Sequence, residues 1–450
     1  EAWSDGLWVF LTFMAQFAVI LMTGDAIAKS PTVTRVLRRI AAFPIPTDGS
    51  DGLGRLVPEG RFHATAFVSF VAMVGALISW GIGLIAGAVM ARQVAYQARE
   101  NGVEIHYPLL AAAGYTGLMI WHSGLTSSSA LLMATPSSLP ESFLQYTPNG
   151  LPISATIGST VNLVTVALLL VVIPPVLGFL HPKDSGEVSE LPDPAYRKMM
   201  PDTGDADPTG IAETVDDPDA VSSTGVETDG GVEAERRTAA DRLNDSVLLT
   251  LLIVGFPAFY IVDAWILSGG GISSLTLNSI NAFFLLCAIV LWRTPAGIVG
   301  QMEESAENIA GIIFQFPFYA GISGLLTGTA LATVISNFFA SFATPLTWPV
   351  IGMVSAGIMN VFVPSGGGQW VAQGPILLDT TKQLGMPLYT AVLIEMMGDQ
   401  LTNMIQPFWA IPLLALTDLR ARDIIGYTMV AMLAGFAIMG TTMTLMLGVL

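Results

Sequence analysis

The chain has 450 residues, of which 52% are hydrophobic and only 12% charged, with a mean hydropathy of +0.63 and a formal charge of −17. That balance is the signature of an integral membrane protein and excludes a soluble enzyme or a nucleic-acid-binding domain. The charge is concentrated: 17 of the 35 acids but 6 of the 18 bases lie between His181 and Asp245, a net of −11 that leaves the apolar remainder nearly neutral.

The first apolar segment, Leu7–Ala28, follows Glu1 almost at once, so further residues are expected upstream. Next comes a basic stretch with Lys29, Arg35, Arg38 and Arg39, in which Val33, Val36, Leu37 and Ile40 recur at helical spacing. This predicts a short interfacial helix in a cytoplasmic loop that continues through Gly, Pro and Asp residues to Arg61. Charge-free runs then follow at Phe62–Met90, Leu109–Thr135 and Ile153–Leu180. Each exceeds the roughly 20 residues that cross a hydrocarbon core.

Residues Pro182–Asn244 are rich in Asp, Glu, Gly, Pro, Ser and Thr, a composition that predicts a disordered linker. Its acidity is of the kind a halophile's cytoplasm favours. The chain therefore divides into a first membrane half (1–180), an acidic linker (181–245) and a second membrane half (246–450). The second half opens with Val247–Val262 and Leu275–Trp292, then a polar turn bearing Glu303, Glu304 and Glu307. After it come 71 residues without a charge, Asn308–Leu378, too long for one helix. Pro317, Pro345, Pro349, Pro364 and Pro375, with Gly366, Gly367 and Gly368, are expected to divide that run. The last charge-free run is Ile424–Leu450. The single cysteine, Cys287, lies among apolar residues and allows no intramolecular disulfide.

The halves share landmarks. Leu21–Ala28 matches Leu325–Ala332 at five of eight positions. Ser123-Gly124 and Ser365-Gly366 interrupt apolar segments at an offset of 242, Asn162 and Asn403 follow at 241, and Pro136 and Pro375 at 239. An internal duplication accounts for nearly constant offsets. Transporters built from such halves bind substrate where Gly- or Pro-interrupted helices meet at the midplane. Here the interruptions are His122–Ser129 and Pro364–Gln369. Broken backbone at membrane depth exposes N–H and C=O groups that protein, water or ligand must satisfy. Glycines allow a substrate close approach, and the half-helix after each break points a partly positive N-terminus at it, which suits a carboxylate. Ser123, Gly124, Thr126, Ser127, Ser365, Gly366, Gly367, Gly368, Gln369 and Asn403 are the expected substrate-binding residues.

Glu395 and Asp399, four apart in an apolar segment, share a helix face. Buried acids at that depth take up a proton or neutralise a cation. His122 is the one histidine in a break and titrates in the physiological range. Asn360, Gln373 and Gln406 add amide oxygens and donors, and Pro407 next to Gln406 frees backbone carbonyls of the kind that bind Na⁺. These six residues are the expected coupling-ion set, for H⁺ or Na⁺, with no other cofactor. Asp25, Gln16 and Gln315 are weaker candidates.

Trp3–Trp8, Thr23-Gly24, His106–Leu110, Trp121–Thr126, Ala134–Pro136, Val363–Trp370, Gln373–Pro375 and Gly398–Trp409 together resemble the short-chain fatty acid transporter family, a branch of the ion transporter superfamily. The Gln369-Trp370 and Asn403–Trp409 blocks are the specific ones. The resemblance implies an all-α, multi-pass plasma-membrane carrier with two inverted repeats, broken helices, re-entrant hairpins and an elevator-type movement, working as a homodimer. It implies uptake of butyrate or acetoacetate, coupled to an ion. By comparison the chain lacks a leading transmembrane helix, and its acidic linker is longer. Since the deep segments carry no Arg or Lys, a monocarboxylate fits better than a dicarboxylate or phosphate. Another organic anion or an amino acid is the alternative on the same architecture. A channel or an intramembrane enzyme is a third class; His122 beside Ser123 is the only dyad-like pair, and neighbouring side chains seldom face each other.

Overall fold

The computed structural model describes residues 1–41, 60–182, 184–197, 199, 238–267 and 275–447, and every regular element among them is helical. The polar loop at 42–59 and the linker from 200 to 237 lie outside the described residues. The chain starts with α1 (Ala2–Gly6), α2 (Leu11–Lys29) and α3 (Pro31–Ala41), the last being the short amphipathic helix its spacing predicts.

The Phe62–Met90 run is two helices, not one: α4 (Gly60–Ile78) and α5 (Trp80–Glu100) turn back on each other at Ser79, whose backbone is extended. Small residues permit this turn, since a Cβ on Gly83 would stand 2.5 Å from that of Ala76. Next come α6 (Tyr107–Tyr115), two 3₁₀ turns at Thr116–Met119 and Trp121–Ser123, α7 (Ser128–Met133), α8 (Glu141–Leu144) and α9 (Thr160–Phe179). Helices α5 and α6 touch backbone to backbone, because a Cβ on Gly87 would lie 2.1 Å from the carbonyl oxygen of Gly114.

The beginning of the acidic stretch is folded, which its composition does not predict. Its helix α10 (Asp193–Arg197) docks on the end of α5. Arg99 donates to the Leu191 carbonyl and to Asp193, and its guanidinium lies 4.2 Å over the Tyr196 ring. Tyr196 packs on Tyr96 with the rings tilted by 30°, while Leu191, Ala195 and Met199 are buried. A few apolar and aromatic side chains within the acidic run thus suffice to anchor its first turn and a half.

The second half contains α11 (Ala239–Asn244), α12 (Val247–Val262), α13 (Leu277–Trp292), α14 (Pro295–Gly328), α15 (Leu331–Ala340), α16 (Trp348–Phe362), α17 (Gly366–Gln383), α18 (Tyr389–Thr402), α19 (Pro407–Thr417) and α20 (Ala421–Leu447). Pro317 lies inside α14 and Pro375 inside α17, so neither divides the uncharged run as expected. Each proline removes one backbone donor, a loss that packed neighbours in a membrane helix absorb. The divisions fall at Thr329–Ala330, at 341–347 and at 363–365. The Leu21–Ala28 match is not reproduced in structure: that segment is continuous helix, whereas Leu325–Ala332 spans the end of α14 and the start of α15.

Among the described residues five helices are long and apolar enough to cross a membrane: Leu11–Lys29, Arg61–Ile78, Thr160–Phe179, Val247–Leu267 and Ala421–Leu447. A sixth candidate is α13 with the start of α14, bent by 120°. The shorter helices α7, α17 and α18 lie largely inside this set and carry the site: α17 packs between α14 and α18, and α7 touches both α17 and α18.

Candidate functional site

The first break is the irregular backbone from Trp121 to Ser127, and protein groups satisfy most of it. The N–H of Ser123 donates to Gln400 Oε1 at 3.1 Å, Gln400 Nε2 donates back to Ser123 Oγ at 3.0 Å, and Asn162 Nδ2 donates to the Ser123 carbonyl at 3.1 Å. The N–H of Leu125 donates to the Leu77 carbonyl of α4. What is left over is polar and buried: Thr126 Oγ1 and Ser127 Oγ have no hydrogen-bond partner.

The second break, at 363–365, ends where Ser365 caps α17, its Oγ accepting from the Gly368 N–H at 3.3 Å. Such a cap contributes about 1 kcal/mol. The N–H groups of Gly366 and Gly367, at the start of the helix, have no intrahelical acceptor by position. Protein stands close to each of these glycines on the side where a Cβ would project. A Cβ on Gly366 would meet His122 Cε1 at 2.7 Å and Ser128 Oγ at 2.9 Å, one on Gly367 would meet Phe13 at 3.0 Å, and one on Gly368 would meet Tyr319 at 2.4 Å. Gly124 is likewise pressed on the Leu77 carbonyl oxygen, at 2.2 Å from a notional Cβ. Gly124, Gly367 and Gly368 pack their breaks against α4, α2 and α14, and Gly366 packs one break against the other.

That contact places the two breaks around a buried charge cluster. His122 Nδ1 stands 2.9 Å from Asp399 Oδ2, and His122 Nε2 3.9 Å from Glu395 Oε2; the three side chains are 0–1% exposed. Ser128 Oγ and Ser129 Oγ lie 3.0 and 3.3 Å from the same Nε2. Neither carboxylate has a well-aligned hydrogen bond, so an imidazole and two serines face two acids in a site closed to bulk water. One imidazolium can balance one carboxylate. The other acid requires a proton or a further cation, since an unbalanced buried charge costs several kcal/mol. The i, i+4 spacing of Glu395 and Asp399 on α18 delivers both to one face, as their sequence positions predict.

The remaining amides are engaged elsewhere. Asn360 Nδ2 donates to the Asp399 carbonyl and to Asn403 Oδ1, both at 2.9 Å, bracing α16 against α18 behind the acids. Gln369 Nε2 donates to the Ala356 carbonyl and to Gln373 Oε1, and Gln373 Nε2 to Ser355 Oγ. The carbonyls of Asn403 and Gln406, which a proline-released Na⁺ site would use, both accept from the Tyr115 hydroxyl. Asn403 Nδ2 reaches the Leu118 carbonyl at 3.4 Å and Gln406 Nε2 the Val361 carbonyl at 3.2 Å. Asp25 lies away from the cluster, paired with Lys29 at 3.0 Å and accepting from Ser305. Gln16 bridges Asn278 and Ser138, and the Gln315 side chain lies outside the described ones.

Sequence reasoning misses Gln400 and Trp121. Gln400 follows Asp399 directly, an amide at depth in the same apolar segment, and that was the available signal. Trp121 stacks flat on His122, with centroids 4.4 Å apart, and adjoins a narrow pocket that also touches Ser365 and Gly366.

The whole chain can be matched to proteins already described. The family described as short chain fatty acid transporter matches residues 1–446. The chain belongs to that family. A relative from Escherichia coli (strain K12), named for short-chain fatty acid transport, is 34% identical over 96% of this chain and 86% of its own length. A relative of the same name from Haemophilus influenzae is 30% identical over the same shares. Among solved structures, the YdaH transporter of Alcanivorax borkumensis, reported for its unusual topology, aligns with a TM-score of 0.55 at 13% identity, covering 99% of this chain and 86% of that one. MtrF of Neisseria gonorrhoeae, described within a class of antimetabolite efflux pumps, aligns equally well at 13% identity over 96% and 82%. At that identity the two structures speak for the fold alone. This member of the short-chain fatty acid transporter family is therefore a multi-pass membrane transporter and not an enzyme.

Proposed function

We infer that the protein carries short-chain monocarboxylates of the butyrate and acetoacetate type across the membrane in symport with protons. The observation that carries this reading is the meeting of the two breaks at His122, where the half-helix N-terminus of α17 and the unpartnered Thr126 and Ser127 hydroxyls lie near the His122–Asp399–Glu395 cluster. The N-terminal dipole and first-turn N–H groups favour one carboxylate without a fixed cation. Two acids sharing one imidazole can load and release a proton at no cost in metal ligands. The Asn403 and Gln406 carbonyls share the one Tyr115 hydroxyl proton, so the separate Na⁺ gradient is the arm of the experiment that decides between the two ions.

The family resemblance supports the wider scheme of two inverted halves, an elevator movement and a homodimer in the plasma membrane. The deciding experiment is uptake of radiolabelled butyrate into proteoliposomes under an imposed pH gradient and, separately, a Na⁺ gradient. Accumulation under the pH gradient alone, lost in Ser365→Ala and His122→Gln, is the expected result. Uptake that follows only the Na⁺ gradient would overturn the proton, and no uptake of butyrate by folded protein under either gradient would overturn the substrate.

A further inference from the structure

We propose that Ser128 and Ser129 are positioning residues for proton coupling: they hold the neutral His122 ring with its hydrogen on Nδ1, so that the coupling proton enters at Nε2, against α7. This deepens the proton symport proposed above, on which it rests, by naming the atom that takes the proton.

A neutral imidazole has one N–H and one bare nitrogen, and the partners of the two nitrogens decide which is which. Around His122 those partners differ in kind. Nδ1 faces Asp399 Oδ2 at 2.9 Å, and a carboxylate so close calls for a hydrogen between the two atoms. Nε2 faces the start of α7, where the Ser129 N–H donates to it at 3.5 Å and Ser128 Oγ and Ser129 Oγ stand at 3.0 and 3.3 Å. A hydroxyl gives or receives, but a backbone N–H only gives. Ser129 is the second residue of α7, so its N–H has no acceptor within the helix and the ring nitrogen fills that place. The opposite tautomer would set two N–H groups head to head at Nε2 and leave a lone pair on Nδ1 against the carboxylate.

Packing holds the ring in this orientation. Trp121 lies flat on one face with the planes 2° apart, and Gly366 of α17 crowds Cε1, which a Cβ at that glycine would meet at 2.7 Å. Among the described residues the ionisable groups facing the ring are Asp399 and Glu395, both on α18; α7 brings its two hydroxyls and α17 a glycine.

A proton taken from water by the Nε2 lone pair turns that acceptor into a donor. The Ser129 N–H then loses its partner, the two hydroxyls must turn to receive, and Glu395 Oε2, 3.9 Å away, is the carboxylate on that side. Loading therefore pushes on α7 and draws on α18, while the contact between Nδ1 and Asp399 stays as it was. Loss of the proton from Nε2 restores the first arrangement.

The test is the nitrogen NMR spectrum of the full chain in proteoliposomes, made with isotope-labelled histidine, the His122 signals being those that vanish in His122→Gln. At alkaline pH the expected spectrum is a single tautomer with hydrogen on Nδ1 and a bare Nε2, and on acidification Nε2 should gain its hydrogen. With both hydroxyls removed, in the double variant Ser128→Ala with Ser129→Ala, the tautomer with hydrogen on Nε2 should become a visible second species, about a tenth of the signal or more. A native ring with its hydrogen on Nε2 at alkaline pH, or one that bears both hydrogens at every pH, would overturn the assignment. An unchanged tautomer in the folded double variant would take the positioning role away from the serines. If that variant does not fold, Ser128→Ala alone reads the hydroxyl at 3.0 Å, and the native spectrum still decides the tautomer. Butyrate uptake that ignores the pH gradient would overturn the symport reading while leaving the tautomer as measured, so the two failures are told apart.

Discussion

His122 Nδ1 and Asp399 Oδ2 stand 2.9 Å apart, joining the first broken helix to α18 through a contact that is fully buried at both ends. If this pair handles the coupling proton, removing its charge should separate transport from driving force. Asp399→Asn is expected to lower pH-gradient-driven butyrate accumulation by about tenfold or more, equivalent to about 1.4 kcal/mol. Exchange of labelled for unlabelled butyrate at equal concentrations should persist. Loss of both together would make Asp399 part of the carboxylate site instead.

Gln400 is placed to hold the first break closed, giving and receiving hydrogen bonds with Ser123. Gln400→Leu removes both hydrogen bonds to the Ser123 hydroxyl and leaves the Ser123 N–H only the Ile120 carbonyl at 3.0 Å, an expected cost of about 1 kcal/mol or more. Ser123→Ala deletes only the hydroxyl and should cost less. Thermal unfolding of the purified variants in detergent orders the two, and equal midpoints would show that the break does not depend on this amide.

Glycines separate into crowded and open positions. Gly87→Ala would push a Cβ to 2.1 Å from the Gly114 carbonyl oxygen, and overpacking of this kind costs at least about 1–3 kcal/mol. Gly426 in α20 has nothing within 4 Å of its notional Cβ, so Gly426→Ala should be neutral or stabilise by up to about 1 kcal/mol. Monodispersity and melting temperature of the pair test this contrast directly.

The anchored start of the acidic stretch should loosen in acid. Ser189 N–H donates to His106 Nδ1, and His106 N–H donates to His181 Nε2, so both rings act as acceptors and must be neutral. The other ring nitrogens then donate, His106 Nε2 to the Tyr427 hydroxyl and His181 Nδ1 to the Pro182 carbonyl. Burial, with the neighbouring His181, pushes His106 below its ordinary value of 6.5, and burial pushes His181 the same way. The unfolded segment therefore binds more protons than the docked one, and docking is fully supported above pH 6.5 and weakens as pH falls through the depressed values. Proteolytic cleavage within 182–199, by a protease active across the range, should rise as pH drops from 7 to 5. His181→Gln should flatten that rise, and a flat profile in the native chain would rule out the histidine pair as the sensor.

Much of the site is legible in the sequence because its signals are local. Ser123-Gly124 and Ser365-Gly366 interrupt apolar runs, and Glu395 and Asp399 announce a shared face by spacing alone. What escapes is whatever depends on distant pairing. Nothing near Gln400 indicates that it meets Ser123, and nothing near Asn403 indicates that its carbonyl is claimed by Tyr115. The turn at Ser79 is hidden inside an uninterrupted apolar run, its only clue being the close-set Gly75, Gly81 and Gly83. Conversely Pro317 and Pro375 read as dividers although tertiary packing carries helices through them. The docking of Asp193–Arg197 depends on Arg99 and Tyr96, almost a hundred residues away, and composition averages such contacts out.

The close approach of Gly87 to Gly114 has a counterpart in the second half, where a Cβ on Gly398 would meet the Met353 carbonyl oxygen at 2.5 Å and the Gly357 nitrogen at 2.9 Å. In both places two main chains meet closely, with no side chain larger than the Ala356 methyl at the contact. A seam of that kind has no rotamer to change and almost no compressible space, so α5 with α6, and α16 with α18, behave as stiff slabs. Whatever motion carries a ligand past the bilayer must leave each slab whole. Its bending is then confined to the short lengths of chain that are already unwound: Ser79, Gly124–Ser127, Val363–Ser365 and the residues around Gln406. On the function proposed above, the hinges and the ligand-facing groups are largely the same residues, so a variant that stiffens a break is expected to slow turnover even where it leaves binding intact.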